Sequence, residues 1–264
     1  MNKTVVFTVL LSLSFFASSS LLLARAPSTV EPLTVQTLDV ASRVHLGFHF
    51  SELDRHKYYE RERSVYVSGE WAPTSYFSLY GTVPYVERTI TDADKRRYLD
   101  HIEAGFRLAP SFGPLTTTLG TTIRFSRGTA QGDVPKDIGY IQPYLGLLLN
   151  LDWFYVQGSI TWSTQTNPRF IEDVDQEFDR HLIYDLALGF RIGSLDLSLE
   201  NRYDQLYDPE ERRRVHWLLG PTVRWNVTEA FSMSLAVPYA IRQEREEDFQ
   251  IHIRITYRFG SAFR

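Results

Sequence analysis

Cysteine is absent from the 264 residues, which excludes disulfides and any thiolate metal site. Long apolar runs are scarce too. After the first 26 residues none reaches the roughly 20 residues that a membrane helix requires. Neither sign of charge dominates: 28 Lys and Arg stand against 32 Asp and Glu, for a formal net charge of -4. The basic stripe of a nucleic-acid binder is therefore missing. A mean hydropathy of -0.24 would suit a water-soluble chain, but a strand that crosses a membrane shows lipid only alternate residues and escapes such averages. Aromatic residues, by contrast, are plentiful. They make up 14% of the chain, with 15 Tyr and 17 Phe, and suit the girdles that mark membrane interfaces.

The first residues read as an export signal over 1–26. Lys3 is a short positive region, Val5 to Phe16 a mostly apolar one, and Ala17-Ser-Ser-Ser20 a small-residue stretch. Cleavage is expected between 19 and 26; Ala24-Arg25-Ala26 fits the small-x-small pattern, but Pro27 would follow the scissile bond. Residues 27–41, rich in Thr, Pro and Val, read as a short periplasmic leader without a core of its own, and 42–264 as the folded unit.

One hairpin is written twice. Trp71 to Arg88 aligns without a gap on Trp225 to Arg242, with eight identities: Trp71/Trp225, Thr74/Thr228, Phe77/Phe231, Ser78/Ser232, Val83/Val237, Pro84/Pro238, Tyr85/Tyr239 and Arg88/Arg242. Each copy ends a strand on an aromatic residue, turns tightly, and continues as an alternating strand. Such amphipathic hairpins need a scaffold made of many of them. Twelve segments carry strand patterning, at about 42–51, 63–72, 76–87, 98–109, 114–126, 139–150, 153–163, 181–192, 195–205, 214–226, 231–242 and 249–259. Each is near the ~9–11 residues that a tilted strand needs to cross a bilayer.

The connections alternate in length. Ala72–Ser75, Ala109–Gly113, Asn150–Asp152, Gly193–Ser194 and Asn226–Ala230 are short; 52–62, 88–97, 127–138, 164–180, 205–213 and 243–248 are longer and charged. Short turns on one side and long loops on the other distinguish an outer-membrane barrel from a soluble sandwich. The expectation is an all-β, transmembrane, antiparallel up-and-down β-barrel of about twelve strands, closed by pairing 42–51 with 249–259. Its location would be the outer membrane of a Gram-negative-type bacterium, with both termini periplasmic.

In the last segment Phe249, Ile251, Ile253, Ile255, Tyr257 and Phe259 alternate with Gln250, His252, Arg254, Thr256 and Arg258, so one face meets an apolar solvent and the other a polar one. The same parity directs Glu103, Asp185, Glu200, Arg202 and Arg254 inward near mid-height as a candidate charge belt. Arg107, Arg191, Arg224 and Arg258 fall toward the periplasmic end of the lumen. Buried charges must be paired or hydrated, so the belt either rigidifies the barrel through salt bridges or filters a solute. Pro84 and Pro238 each remove a ladder donor from an inward position, and are expected to mark a bulge near the extracellular rim.

No catalytic residues emerge. His45, His49, His101, His181, His216 and His252 all take inward parity, so none is offered to lipid as a surface lipid-modifying enzyme requires. His101 and Glu103 share a face but lack a third ligand, and no metal or other cofactor is expected. The five carboxylates of 172–179 lack the glycine of a calcium loop. They are read as a solvated extracellular segment, with calcium binding left open. Arg212, Arg213 and Arg214 are candidates for contact with lipopolysaccharide phosphates.

The Phe-Ser-x4-Val-Pro-Tyr strands and the final Ile255-Thr-Tyr257-Arg-Phe259 resemble the outer-membrane barrels of the meta-pathway phenol-degradation-like family. The resemblance implies a transporter of small solutes, aromatic ones among the candidates, and supplies no catalytic residues. The leading expectation is thus a channel or passive transporter. The alternatives are a structural or adhesive barrel with a blocked lumen, then a lipid-modifying enzyme. Its partners would be outer-membrane lipid, lipopolysaccharide and the barrel assembly machinery. The resemblance further implies that Tyr257 and Phe259 form the assembly signal of the terminal strand. Phe259→Ala should then lower the folded, heat-modifiable fraction recovered from membranes; unchanged assembly would shift the signal to Phe263 or remove it from this strand.

Overall fold

The structure, a computed structural model, describes residues 30–55, 58–90, 96–125, 138–166, 180–207, 213–242 and 249–259. The expected export signal and its cleavage site, the acidic run 172–179, and Arg212 lie outside the described residues. Fifteen strand segments follow in chain order: β1 (Arg43–Arg55), β2 (Tyr58–Thr74), β3 (Phe77–Ile90), β4 (Arg96–Leu99), β5 (Glu103–Leu108), β6 (Ser111–Phe112), β7 (Leu115–Phe125), β8 (Ile138–Asn150), β9 (Phe154–Gln165), β10 (Arg180–Ile192), β11 (Leu195–Tyr207), β12 (Arg213–Asn226), β13 (Phe231–Ala236), β14 (Tyr239–Arg242) and β15 (Phe249–Arg258). β4 and β5 make one stave, β13 and β14 another, and β6 is a two-residue bridge onto β7, so the sheet is a closed antiparallel barrel of twelve staves. β1 meets β15 from Arg43 opposite Arg258 to Glu52 opposite Phe249. Closure is obligatory in lipid, which cannot satisfy the N–H and C=O groups of an open edge.

Alternation places the side chains as the pattern requires. In β10, Tyr184, Leu186, Leu188, Phe190 and Ile192 face outward, while Ile183, Asp185, Ala187 and Gly189 are buried inside. Near the short turns Trp71, Phe112, Trp153 and Phe259 are exposed on the outer surface, and Trp153 packs with Phe154 and Phe190. This is the position of an interfacial girdle. Two of the short turns depend on glycine: Gly113 and Gly193 adopt φ of 64° and 60°, a left-handed conformation that a Cβ disfavours.

In two connections expected to be long loops, the described residues are strand. β1 runs to Arg55 and β2 starts at Tyr58; β3 runs to Ile90 and β4 starts at Arg96. Their charge had concealed them, because strand that projects beyond lipid loses its apolar half. Cross-strand ion pairs take over there: Glu52 lies opposite Arg61 at 3.6 Å, and Glu87 accepts from Arg97 at 2.9 Å.

The two prolines mark irregularities, though not at the rim. Pro84 lies midway along β3. Opposite it, Thr82 pairs with Glu103 but Tyr85 pairs with Leu99, so Asp100–Ile102 hold one extra residue and separate β4 from β5. Pro238 separates β13 from β14, and a bulge follows where Trp217 pairs with Arg242 and Leu218 with Ala240. In both copies of the hairpin the missing N–H falls where the ladder breaks.

Four inward glycines are direct cross-strand partners of tyrosines: Gly47 of Tyr66, Gly105 of Tyr80, Gly120 of Tyr144 and Gly189 of Tyr155. Each ring occupies the space that a Cβ would need, so the rings lie against the wall. Gly189→Ala should force the Tyr155 ring off the wall and destabilise the barrel by about 1–3 kcal/mol, the usual range for overpacking. At Gly69, where a Cβ would meet nothing within 4 Å, Ala should be near neutral. The urea midpoint of the refolded protein in vesicles, followed by gel mobility, distinguishes the two.

Candidate functional site: a lumen filled by the N-terminal segment

In place of the periplasmic leader expected over 27–41, residues 30–41 lie inside the barrel. Val30, Pro32 and Leu38 are fully buried, and Val30, Val35 and Leu38 form an apolar cluster with Tyr144, Leu148, Tyr155 and Ala187. Leu38 sits over Gly146, where a Cβ would collide with its side chain. The segment loops upward and returns, with Val30 N–H donating to Asp39 Oδ2 at 2.6 Å.

A segment without regular structure must find partners for its backbone elsewhere, and the barrel wall supplies them. Glu200 accepts from Leu33 N–H at 3.0 Å, and from Thr34 N–H and Oγ1 at 2.6 Å each. Asp185 accepts from Gln36 N–H at 3.0 Å, and Gln157 Nε2 donates to Gln36 O at 2.7 Å. Thr118 Oγ1 donates to Leu38 O at 2.9 Å, and Arg107 Nη1 to Asp39 O at 2.7 Å. Arg254 Nη2 donates to Glu31 O at 2.8 Å. These partners come from β5, β7, β9, β10, β11 and β15, so the segment is held from around the barrel wall.

Below this loop is a charge cluster centred on Glu31. Its carboxylate lies 2.9 Å from Arg43, 2.8 Å from Arg258 and 3.5 Å from Arg224. Arg43 also pairs with Glu70 at 2.6 Å, which in turn holds Arg107 at 2.8 Å. Arg224 pairs with Asp196, and Asp196 lies 3.4 Å from Arg191. Burial alone would raise the Glu31 carboxyl, but Arg43, Arg258 and Arg224 hold it well below the usual carboxylate range. Glu31 belongs to the inner segment rather than to a spanning strand, and it stays charged there because three guanidiniums surround it.

The sequence-derived residues are distributed as follows. Arg107, Arg191, Arg224 and Arg258 are joined through Glu70, Asp196 and Glu31 at the short-turn end of the lumen. The mid-height set does not form one belt. Arg202 pairs with Asp185 at 3.3 Å, Glu103 pairs with Arg124 at 2.6 Å, and Glu200 is committed to the inner segment. Arg43, Glu31 and Asp39 were missed. Only Arg43 carried a signal, since β1 parity turns it inward with His45; Glu31 and Asp39 precede any alternating pattern. Tyr257 and Phe259 are exposed on the lipid face with stacked rings.

His101 Nδ1 contacts Phe125 O at 2.8 Å, and among the described residues no three His, Asp or Glu side chains converge as a metal site. The stacked rings of His49 and His252, 4.4 Å apart, lie on the inner face. Beside the inner segment lies a cavity of about 410 Å³. Leu33–Thr37 line one side of it, Tyr66, Tyr80, His101, Glu103, Arg124, Arg202 and Arg254 are among its other walls, and it reaches down to Arg43, Glu70 and Arg107. This part of the lumen has room for a solute.

Glu31→Ala should release the inner segment while leaving the barrel folded. Removing one partner of a buried ion pair costs about 3–5 kcal/mol, because the remaining charges stay buried without it. A spin label on Val35→Cys should change from immobilised to mobile in the Glu31→Ala background, with the heat-modifiable band retained. An unchanged spectrum would mean that the backbone bonds to Glu200 and Asp185 suffice.

No family model matches the chain, and no curated protein matches it. Among solved structures it is similar to the COG4313 outer membrane channel from Pseudomonas putida F1, at 10% identity over 87% of this chain and 100% of that one, with a TM-score of 0.68. It is also similar to the NanC porin, at 12% identity over 83% and 100% with a TM-score of 0.51, and to the KdgM porin, at 10% over 82% and 99% with 0.52. At these identities the likeness concerns the fold, which is that of an outer-membrane β-barrel.

Proposed function

We propose that the chain is an outer-membrane channel for passive movement of small solutes, narrowed on the periplasmic side by its own residues 30–41. The observation that carries this reading is the cavity of about 410 Å³ inside a closed barrel. Polar and charged groups line it, and a purely structural barrel has no need to hydrate such a space. The fold shared with proteins named as channels and porins supports the reading. So does the resemblance of the Val-Pro-Tyr hairpins to a transporter family, which adds aromatic solutes as candidates. The setting proposed is a Gram-negative-type outer membrane, with lipopolysaccharide outside and the assembly machinery acting on the terminal strand. No role as an enzyme is proposed.

A second reading has an observation of its own. The inner segment fills the lower lumen with bonds to much of the wall, as in a barrel whose lumen is blocked. Planar-bilayer recording of the full chain and of a deletion of 30–38 separates the two. The channel reading expects conductance from the full chain and a severalfold larger conductance from the deletion. Conductance from the deletion alone would make the segment a plug that must be displaced. Silence from both would favour the structural barrel.

A further inference from the structure

Arg254 stands apart from the other buried guanidiniums. It is 7% exposed, it lines the lumen cavity, and no carboxylate lies within ion-pairing distance of it among the described residues. Its hydrogen bond runs from Nη2 to Glu31 O, a neutral acceptor, and its Nε is buried without a partner. Glu31 and Glu200 reach it only as longer-range charges, and both are committed, Glu31 to Arg43, Arg224 and Arg258 and Glu200 to Leu33 and Thr34. The other arginines around the same cavity are neutralised locally: Arg43 and Arg107 by Glu70, Arg124 by Glu103, Arg202 by Asp185. A buried guanidinium with no carboxylate partner, set in the wall of a solute-sized space, is a costly arrangement unless something negative occupies it.

From this geometry we infer that the cavity is a binding subsite for a small monocarboxylate carried on a single ring. This inference rests on the channel reading and specifies its solute. The carboxylate meets the Arg254 guanidinium where it lines the cavity and supplies the missing counter-charge. The ring lies against the stretch of wall lined by Tyr66 and Tyr80, whose own rings are held over Gly47 and Gly105. The cavity falls within the roughly 300–1,000 Å³ common to small-molecule sites. A neutral analogue would leave Arg254 as it is now, and a cationic one would be repelled.

The test is calorimetric titration of the full-length mature protein in detergent with benzoate, benzyl alcohol and benzylamine. Saturable binding of benzoate is expected, with benzyl alcohol at least tenfold weaker and benzylamine silent. Arg254→Gln should weaken benzoate at least tenfold without changing benzyl alcohol, and Arg254→Lys should restore part of the loss. Equal affinity for benzoate and benzyl alcohol in the wild type would overturn the proposal, as would benzoate binding unaffected by Arg254→Gln or no benzoate binding at millimolar concentration. Should Arg254→Gln fail to show the folded, heat-modifiable band, the wild-type comparison of the three probes still decides. Because the readout is binding, a protein that conducts but ignores benzoate defeats only the subsite. One that binds benzoate but never conducts defeats only the channel.

Discussion

The carboxylate of Glu31 is the interaction on which the lower half of the molecule depends. Arg43, Arg224 and Arg258 surround it, and Arg254 is bonded to its backbone oxygen. Take it away and Arg43 keeps Glu70 and Arg224 keeps Asp196, but Arg258 loses its only carboxylate among the described residues. A piece of chain outside the spanning strands thus completes the ionic interior. The apolar contacts of Val30, Val35 and Leu38 follow from that placement and reinforce it.

The upper lumen obeys a different rule. There the charges pair along the wall, Arg124 with Glu103 and Arg202 with Asp185, and the tyrosines are folded onto glycines. Both devices keep side chains close to the strands that carry them. The result is an interior partly filled by chain and partly left as space. The inner segment borders both parts, since Leu33–Thr37 line the cavity while Glu200 and Asp185 hold them from the wall.

Much of this was legible from pattern. Strict alternation in β15 and β10, together with the spacing of short turns, defines the staves, their closure and the facing of each residue, because lipid outside and water inside impose a period of two. The inward arginines near the short turns could be found the same way. The inner segment could not. Residues 30–41 have no alternation to read, and their partners lie as far away as Glu200 and Arg258, so only a closed barrel brings them together. The projecting ends of β1 to β4 were hidden for another reason: in water the apolar half of the pattern has no purpose, and charged residues that look like loop can pair across strands. The prolines were recognisable as irregularities, because each removes a donor from an otherwise regular strand.

Glu31 also bears on the seam. Arg43 and Arg258, two of its partners, face each other where the first strand meets the last. Joining those strands sets two like charges side by side, and the carboxylate between them turns repulsion into attraction. The group that anchors the inner segment is therefore also a clasp on the closure, one oxygen pair shared by the two ends of the sheet.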